Sequence, residues 1–178
     1  MGTSHAITPR CSFESHPKRP SGQDSTMART TAQRVKDSMA RLDAGGDAWL
    51  ATAGRAGPHL VPLTLAWDST AGELIFCVEQ GTVTARNIAT EPSVRVGIGP
   101  TRDVLMVDGT AQIAGLVNDD NYLSAFFYEK AGWDPRLNGD NMIFIRVAPS
   151  RMQAWREVDE AANRAVMVNG DWKTTDES

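Results

Sequence analysis

Three polar side chains near the middle of the chain stand close enough to act together: Thr82, Thr84 and Arg86, in the run EQGTVTARNIATEP over 79–92. The run lies between two apolar segments, LIFCV and VRVGI, and reads as a short helix over 82–90 with Thr82 at its N-cap. A helix start leaves backbone N–H groups without intrahelical acceptors, and the helix dipole puts partial positive charge there. The two effects together suit an anion. Thr82 and Thr84 add hydroxyls, Arg86 adds a guanidinium within one turn, and Gly81 lets the backbone approach a ligand closely. The same letters also serve a plainer purpose, in which Thr82 caps its own helix. Both readings stand on spacing alone.

Other chemistry-bearing residues are sparse. His59 follows Pro58 at a strand start, either as a general base or as the half-exposed turn histidine that is commoner. Cys77 lies in the apolar run ELIFCV with no histidine near it in sequence, and reads as a small buried hydrophobe. Three histidines (His5, His16, His59) and two cysteines (Cys11, Cys77) form no metal-ligand spacing. One cysteine sits in a polar stretch and the other in a strand-like one. A structural disulfide is therefore not expected, and a reducing, cytoplasmic setting is. No nucleophile and base suitable for hydrolysis can be paired, so no catalytic side chain is assigned.

The elements that must position these residues follow from periodicity. The 178 residues suffice for one domain with a core. A net charge of −4 and a pI near 5.3 do not favour a generic nucleic-acid or anionic-membrane surface. No apolar run is long enough for a membrane span, and the first residues lack a signal-like apolar core. Residues 1–26, rich in Ser, Pro, Gly and Thr, read as a disordered leader ahead of a domain over 27–178, and Met27 is an alternative start. A helix over TTAQRVKDSMARLDAGG turns Val35, Met39 and Leu42 inward, capped by Thr30 or Thr31 and stopped by Gly45 and Gly46. Strands follow over 48–53, 59–67, 73–78 and 93–99, joined by Gly-rich turns. Trp49, Trp67 and Phe76 on them read as core.

Asp108-Gly109 within DVLMVDGTAQIAG is either a hairpin turn or a bulge in one long strand. A hairpin would leave arms of only about four residues, so the bulge is favoured. NDDNYLSAFFYEKAGW (118–133) reads as a helix with Leu123, Phe126 and Phe127 inward. Trp133-Asp134-Pro135 with Arg136 is a lid or a capped loop. A last strand over 142–155 is broken or bent at Pro149 and is followed by a polar tail, whose acidic residues 157, 159 and 160 read as a solvated face. About six strands with two or three short helices make a mainly β, α+β fold, an antiparallel barrel with helices closing its ends.

The order AWLATA, PHLVPLTLAW, ELIFCV, GTVTARNIATEPSVRVGI and VDGTAQI resembles the pyridoxamine-5′-phosphate-oxidase-like family of flavin and deazaflavin split β-barrels. The resemblance covers roughly residues 31–172, and the closing RMQAWREVDEAANRAVMVNGDWK is similar to an actinobacterial-type subgroup. It implies a split-barrel homodimer with cofactor sites at the dimer interface. It also implies a cofactor phosphate at the helix start of Thr82, Val83, Thr84, Arg86 and Asn87. The flavin ring would lie along Val61, Pro62, Leu63 and Thr64 and along the strand from Phe76 through Val78 to Glu79. Trp155 matches a tryptophan that reaches a cofactor across the dimer, and Arg164 is the nearest match to an arginine that helps hold cofactor or substrate.

One position departs from the family. Relatives usually carry a lysine where this chain has Thr84. Losing that ammonium removes a charge-assisted contact of roughly 1.5–3 kcal/mol. Phosphate binding would weaken about tenfold to a hundredfold unless Arg86, Arg55 or Arg102 compensates. The resemblance implies a flavin- or deazaflavin-dependent oxidoreductase, with FMN or coenzyme F420 as carrier and a small organic molecule as substrate. No metal, nucleic acid or membrane is implied. The alternative is a non-catalytic split barrel that carries flavin or haem.

Overall fold

A computed structural model of the chain describes residues 28–174. The expected leader, with His5, Cys11 and His16, and Met27 therefore lie outside the described residues. The strands are β1 (Gly46–Gly54), β2 (Gly57–Asp68), β3 (Glu73–Glu79), β4 (Ser93–Ile98), β5 (Asp103–Leu116), β6 (Met142–Arg156), β7 (Ala165–Val168) and β8 (Asp171–Trp172). All pair antiparallel in the order β3-β2-β1-β4-β5-β6-β7-β8, and a β3–β6 pairing closes the first six into a barrel. Alternation decides which face enters it: Ala48, Leu50 and Thr52 point inward from β1, as Val94, Val96 and Ile98 do from β4.

The strand after the Asp108-Gly109 pair runs on as β5, with a register shift between those two residues. The bulge is the correct reading. Gly109 is required there by space, because a Cβ would stand 2.6 Å from the Ala148 carbonyl oxygen. β6 is long enough to serve two partners on one edge. Met142–Val147 pairs with β3, while Arg151–Gln153 pairs with β7 beyond the bend at Pro149.

Three α-helices occur among the described residues: α1 (Thr31–Ala44), α2 (Val83–Thr90) and α3 (Asn121–Ala131). α2 puts Ala85 and Ile88 into the barrel core and closes one end of it. α3 covers the outside, where Leu123 and Phe127 pack with Ala66, Ile75 and Phe144. Leu42 of α1 enters the main core and Val35 packs against it.

Several expectations need correcting. Met39 is exposed, because the buried stripe of α1 is Thr31, Arg34, Ser38 and Leu42. Phe126 is only partly buried, and α3 begins after a 3-10 turn at Val117–Asp119. Trp49 is 52% exposed, since its position in β1 points away from the barrel interior. The segment after 155 is not merely polar tail. It includes β7 and β8, joined at Asn169-Gly170, where both residues take positive φ as a tight hairpin turn demands. Finally, Glu160 is buried beside Arg29 rather than solvated.

Candidate functional site

The barrel is split where β2 and β3 part. The two strands pair only from Ala66 to Asp68, against Ile75 to Glu73. Earlier in β2, from Gly57 to Leu65, β1 lies on one edge and no strand lies on the other. β3 meanwhile turns to β6. A cleft of about 590 Å³ opens at this seam, and the start of α2 forms its end wall.

Val61 and Leu63 line the cleft from β2, Cys77, Val78 and Glu79 from β3, and Thr82, Val83, Thr84 and Arg86 from the start of α2. The wall is thus apolar at Val61, Leu63, Cys77 and Val78 and polar at Glu79 and at the helix start. Because alternate residues of β2 face one way, His59 joins Val61 and Leu63. It sits within the strand, not in a turn. Pro62 and Thr64 belong to the opposite face, and Pro62 is exposed.

At the helix, Thr82 does serve as its own cap. Its Oγ1 accepts from the Ala85 amide at 3.3 Å and donates to the Glu79 carbonyl at 2.9 Å. Thr84 differs: it is 2% exposed, and its hydroxyl makes no hydrogen bond among the described residues although it lines the cleft. The Val83 and Thr84 amides occupy the first turn, where no intrahelical acceptor exists. Arg86 folds back to donate from Nη1 to the Gly81 carbonyl, at the mouth of the cleft. A hydroxyl without a hydrogen bond among the described residues, turned to the cleft beside orphan amides, makes an acceptor-seeking end wall.

Asn87 stands outside this lining. Its Nδ2 donates to the Thr52 hydroxyl at 3.0 Å and ties α2 to β1. Trp155 and Arg164 lie across the sheet on β6 and the loop that follows it, with the Arg164 guanidinium 4.9 Å from the Trp155 ring centroid. Arg102 is paired with Glu157 at 2.9 Å and Arg55 is exposed in the β1–β2 turn, so neither enters the cleft wall. The Trp133–Arg136 segment is a capped loop. Asp134 caps the 3-10 turn at Pro135–Asn138, and Trp133 meets Phe127 edge-on at 5.4 Å.

His59, Cys77 and Gly81 complete the cleft, Gly81 where the backbone was expected to approach a ligand and Cys77 on the strand expected to run along the ring. For His59 the period-two pattern with Val61 and Leu63 was an available signal. Burial pushes the Cys77 thiol up to about 12, which keeps it protonated and unreactive at neutral pH.

No protein-family model matches the chain. No curated protein does either. Solved structures do. An F420 reductase is 22% identical with a TM-score of 0.51, over 64% of this chain and 93% of that one. A FAD-binding protein from Mesorhizobium loti is 20% identical with a TM-score of 0.54, over 71% and 93%. A haem-binding protein from Mycobacterium smegmatis is 16% identical with a TM-score of 0.57, over 82% of this chain and 60% of that one. At these identities the likeness is one of fold.

Proposed function

We propose that this chain, which has the split-barrel fold of the pyridoxamine-5′-phosphate-oxidase-like proteins, binds a flavin or deazaflavin in the cleft and acts as an oxidoreductase on a small organic substrate. The observation that carries the reading is the cleft's division of labour. Val61, Leu63, Cys77 and Val78 make an apolar middle between His59 and Glu79, and the Thr84 hydroxyl, without a hydrogen bond among the described residues, stands at the helix end. A flat ring with a phosphate-bearing side arm needs both.

A bound flavin or deazaflavin supplies the hydride chemistry. The chain binds, orients and excludes water. Val61, Leu63 and Val78 offer the apolar wall, while Thr84 and the first amides of α2 offer donors to a phosphate, with Arg86 at the mouth. The unpaired edge of β2 between Gly57 and Leu65 adds backbone N–H donors along the cleft. No acid–base pair is required of the protein. The similar folds that bind F420 and FAD support the class of ligand.

The site is completed by a second copy. Pro62, Trp49, Gly97, Met106 and Gln153 lie in one cross-strand row on the outside of the sheet. Trp49 is 52% and Leu60 59% exposed on that face. The cleft lies at the β2 edge of the row, and Trp155 with Arg164 lies at the β6 edge. A two-fold pairing of the faces would bring each copy's Trp155 toward its partner's cleft. No helix among the described residues is long and apolar enough to cross a membrane, and the reading puts the dimer in the cytoplasm.

A second reading, a non-catalytic carrier of flavin or haem, draws on Thr84 standing where relatives carry lysine, and on the imidazole of His59 in the cleft. Fluorescence titration with FMN and with F420 at one salt concentration, alongside absorbance with haem, separates the readings. Micromolar binding of FMN or F420, weakened in Thr84→Ala, is expected. Binding of haem alone would replace the first reading by the second, and binding of none would end both.

A further inference from the structure

At the opposite end of the barrel, α1 and the last strands enclose another cavity, of about 380 Å³. Thr30, Thr31, Arg34, Asn163 and Lys173 form much of its wall. Arg34 is the unusual member. It is 4% exposed, yet it has no carboxylate partner among the described residues. Its Nη2 donates to the Thr31 hydroxyl at 3.0 Å, while its Nε–H finds no acceptor at all. A buried guanidinium is normally paired, because removing its hydration without replacement is costly.

The buried carboxylate in the same wall is already committed. Glu160 accepts from Nε and Nη2 of Arg29 at 2.9 and 2.7 Å, and from the Arg29 and Arg156 amides at 2.9 and 2.7 Å. Asp159 is exposed at the rim. The start of α1 faces the same cavity through Thr30 and Thr31, and its first turn has no acidic residue. Lys173 puts a further ammonium on the wall. Arg34 is therefore left facing the cavity with an Nε–H that no carboxylate of the wall accepts, and the helix dipole adds to its positive charge.

We propose that this cavity is a second ligand site, for a small phosphate- or carboxylate-bearing molecule whose oxygens supply the acceptor that Arg34 lacks. Bound there, the anion bridges the first turn of α1 to the segment after β8, and so fastens the N-terminal helix to the last hairpin. It is independent of the cleft, which lies beside α2.

The test uses the full ¹⁵N-labelled chain and inorganic phosphate at constant ionic strength, with chloride as the control anion. The Arg34 Nε–H resonance, assigned by its loss in Arg34→Met, should shift saturably with phosphate and not with chloride. Thr84→Ala should leave that shift unchanged. Thermal unfolding should rise with phosphate in the wild type, and Arg34→Met should need at least tenfold more phosphate for the same rise. A shift that never saturates, or that chloride reproduces, would overturn the site. So would an undiminished thermal response in Arg34→Met. Should that variant fail to fold, Arg34→Lys, which also lacks the Nε–H but keeps the charge, supplies the assignment, and saturation of the wild-type shift decides.

Discussion

At the scale of single residues, two threonines two positions apart have different work. Thr82 accepts from the Ala85 amide of its own helix and donates to the Glu79 carbonyl at the end of β3, whereas the Thr84 hydroxyl makes no hydrogen bond among the described residues. Thr84→Ala should therefore weaken FMN or F420 binding about tenfold. Its folding stability should change by no more than about 1 kcal/mol, the worth of one buried methyl-sized group. Fluorescence titration and urea unfolding measure the two quantities; unchanged affinity would remove the phosphate from α2. Glu160 makes the complementary case. Burial raises its pKa, but Arg29 and two amides outweigh that and hold the carboxyl down at about 2, below the ordinary 4.5. Since the folded value is depressed, the stabilisation is present above pH 4.5 and is lost as pH falls toward 2. Glu160→Gln should flatten that acid limb of the stability curve and cost roughly 3 kcal/mol at pH 7, read by urea unfolding at stepped pH. The contrast also shows what a sequence discloses. Thr82 and Thr84 were legible because their chemistry is local, two positions apart at a helix start. Glu160 was not, since its partner Arg29 lies 131 residues away.

At the scale of elements, strand alternation carried most of the fold, and the exceptions have local causes. β1, β2, β3 and β4 were legible as apolar periods ended by Gly-rich turns. The two-sided role of β6 was not, because an edge that changes partner at Pro149 leaves no mark in periodicity. The β7–β8 hairpin did carry a signal: Asn169-Gly170 between AVMV and Asp171-Trp172 is the pair that a tight turn wants. Its strands are only four and two residues long, so the alternation was too brief to separate from tail. For β5, Gly109 makes the bulge possible by omission of a side chain. Gly109→Ala would drive a Cβ to 2.6 Å from the Ala148 oxygen and 2.9 Å from Val147 Cγ1. We expect a loss of about 1–3 kcal/mol, as in overpacked cores, measured by chemical denaturation. A stability equal to wild type would mean that the β5–β6 ladder can slide at this point.

At the scale of the whole molecule, the proposed dimer would link oligomeric state to cofactor binding through the outer face of the barrel. The cleft opens beside β2 on the side of Val61 and Leu63, whereas Trp155 and Arg164 lie on β6 and the loop after it, with the strands β1, β4 and β5 between them. With a strand spacing of about 4.8 Å, the row from β2 to β6 spans roughly 19 Å. One chain cannot bring these groups together, but two chains related by a two-fold axis can. Trp49 was expected in the core because a tryptophan in a strand usually packs there, and its exposure is the feature that now argues for a partner. A charge on this face is felt twice in an isologous contact. Trp49→Arg and Leu60→Glu should each convert the dimer to monomer or weaken it more than tenfold, as sedimentation equilibrium would report. Both side chains are over half exposed, so each variant should remain folded, with unchanged far-ultraviolet circular dichroism. FMN or F420 affinity should fall together with dimerisation, although neither residue lines the cleft. A variant that is monomeric yet binds cofactor as tightly as wild type would confine the site to one chain. Trp155 and Arg164 would then have no part in it.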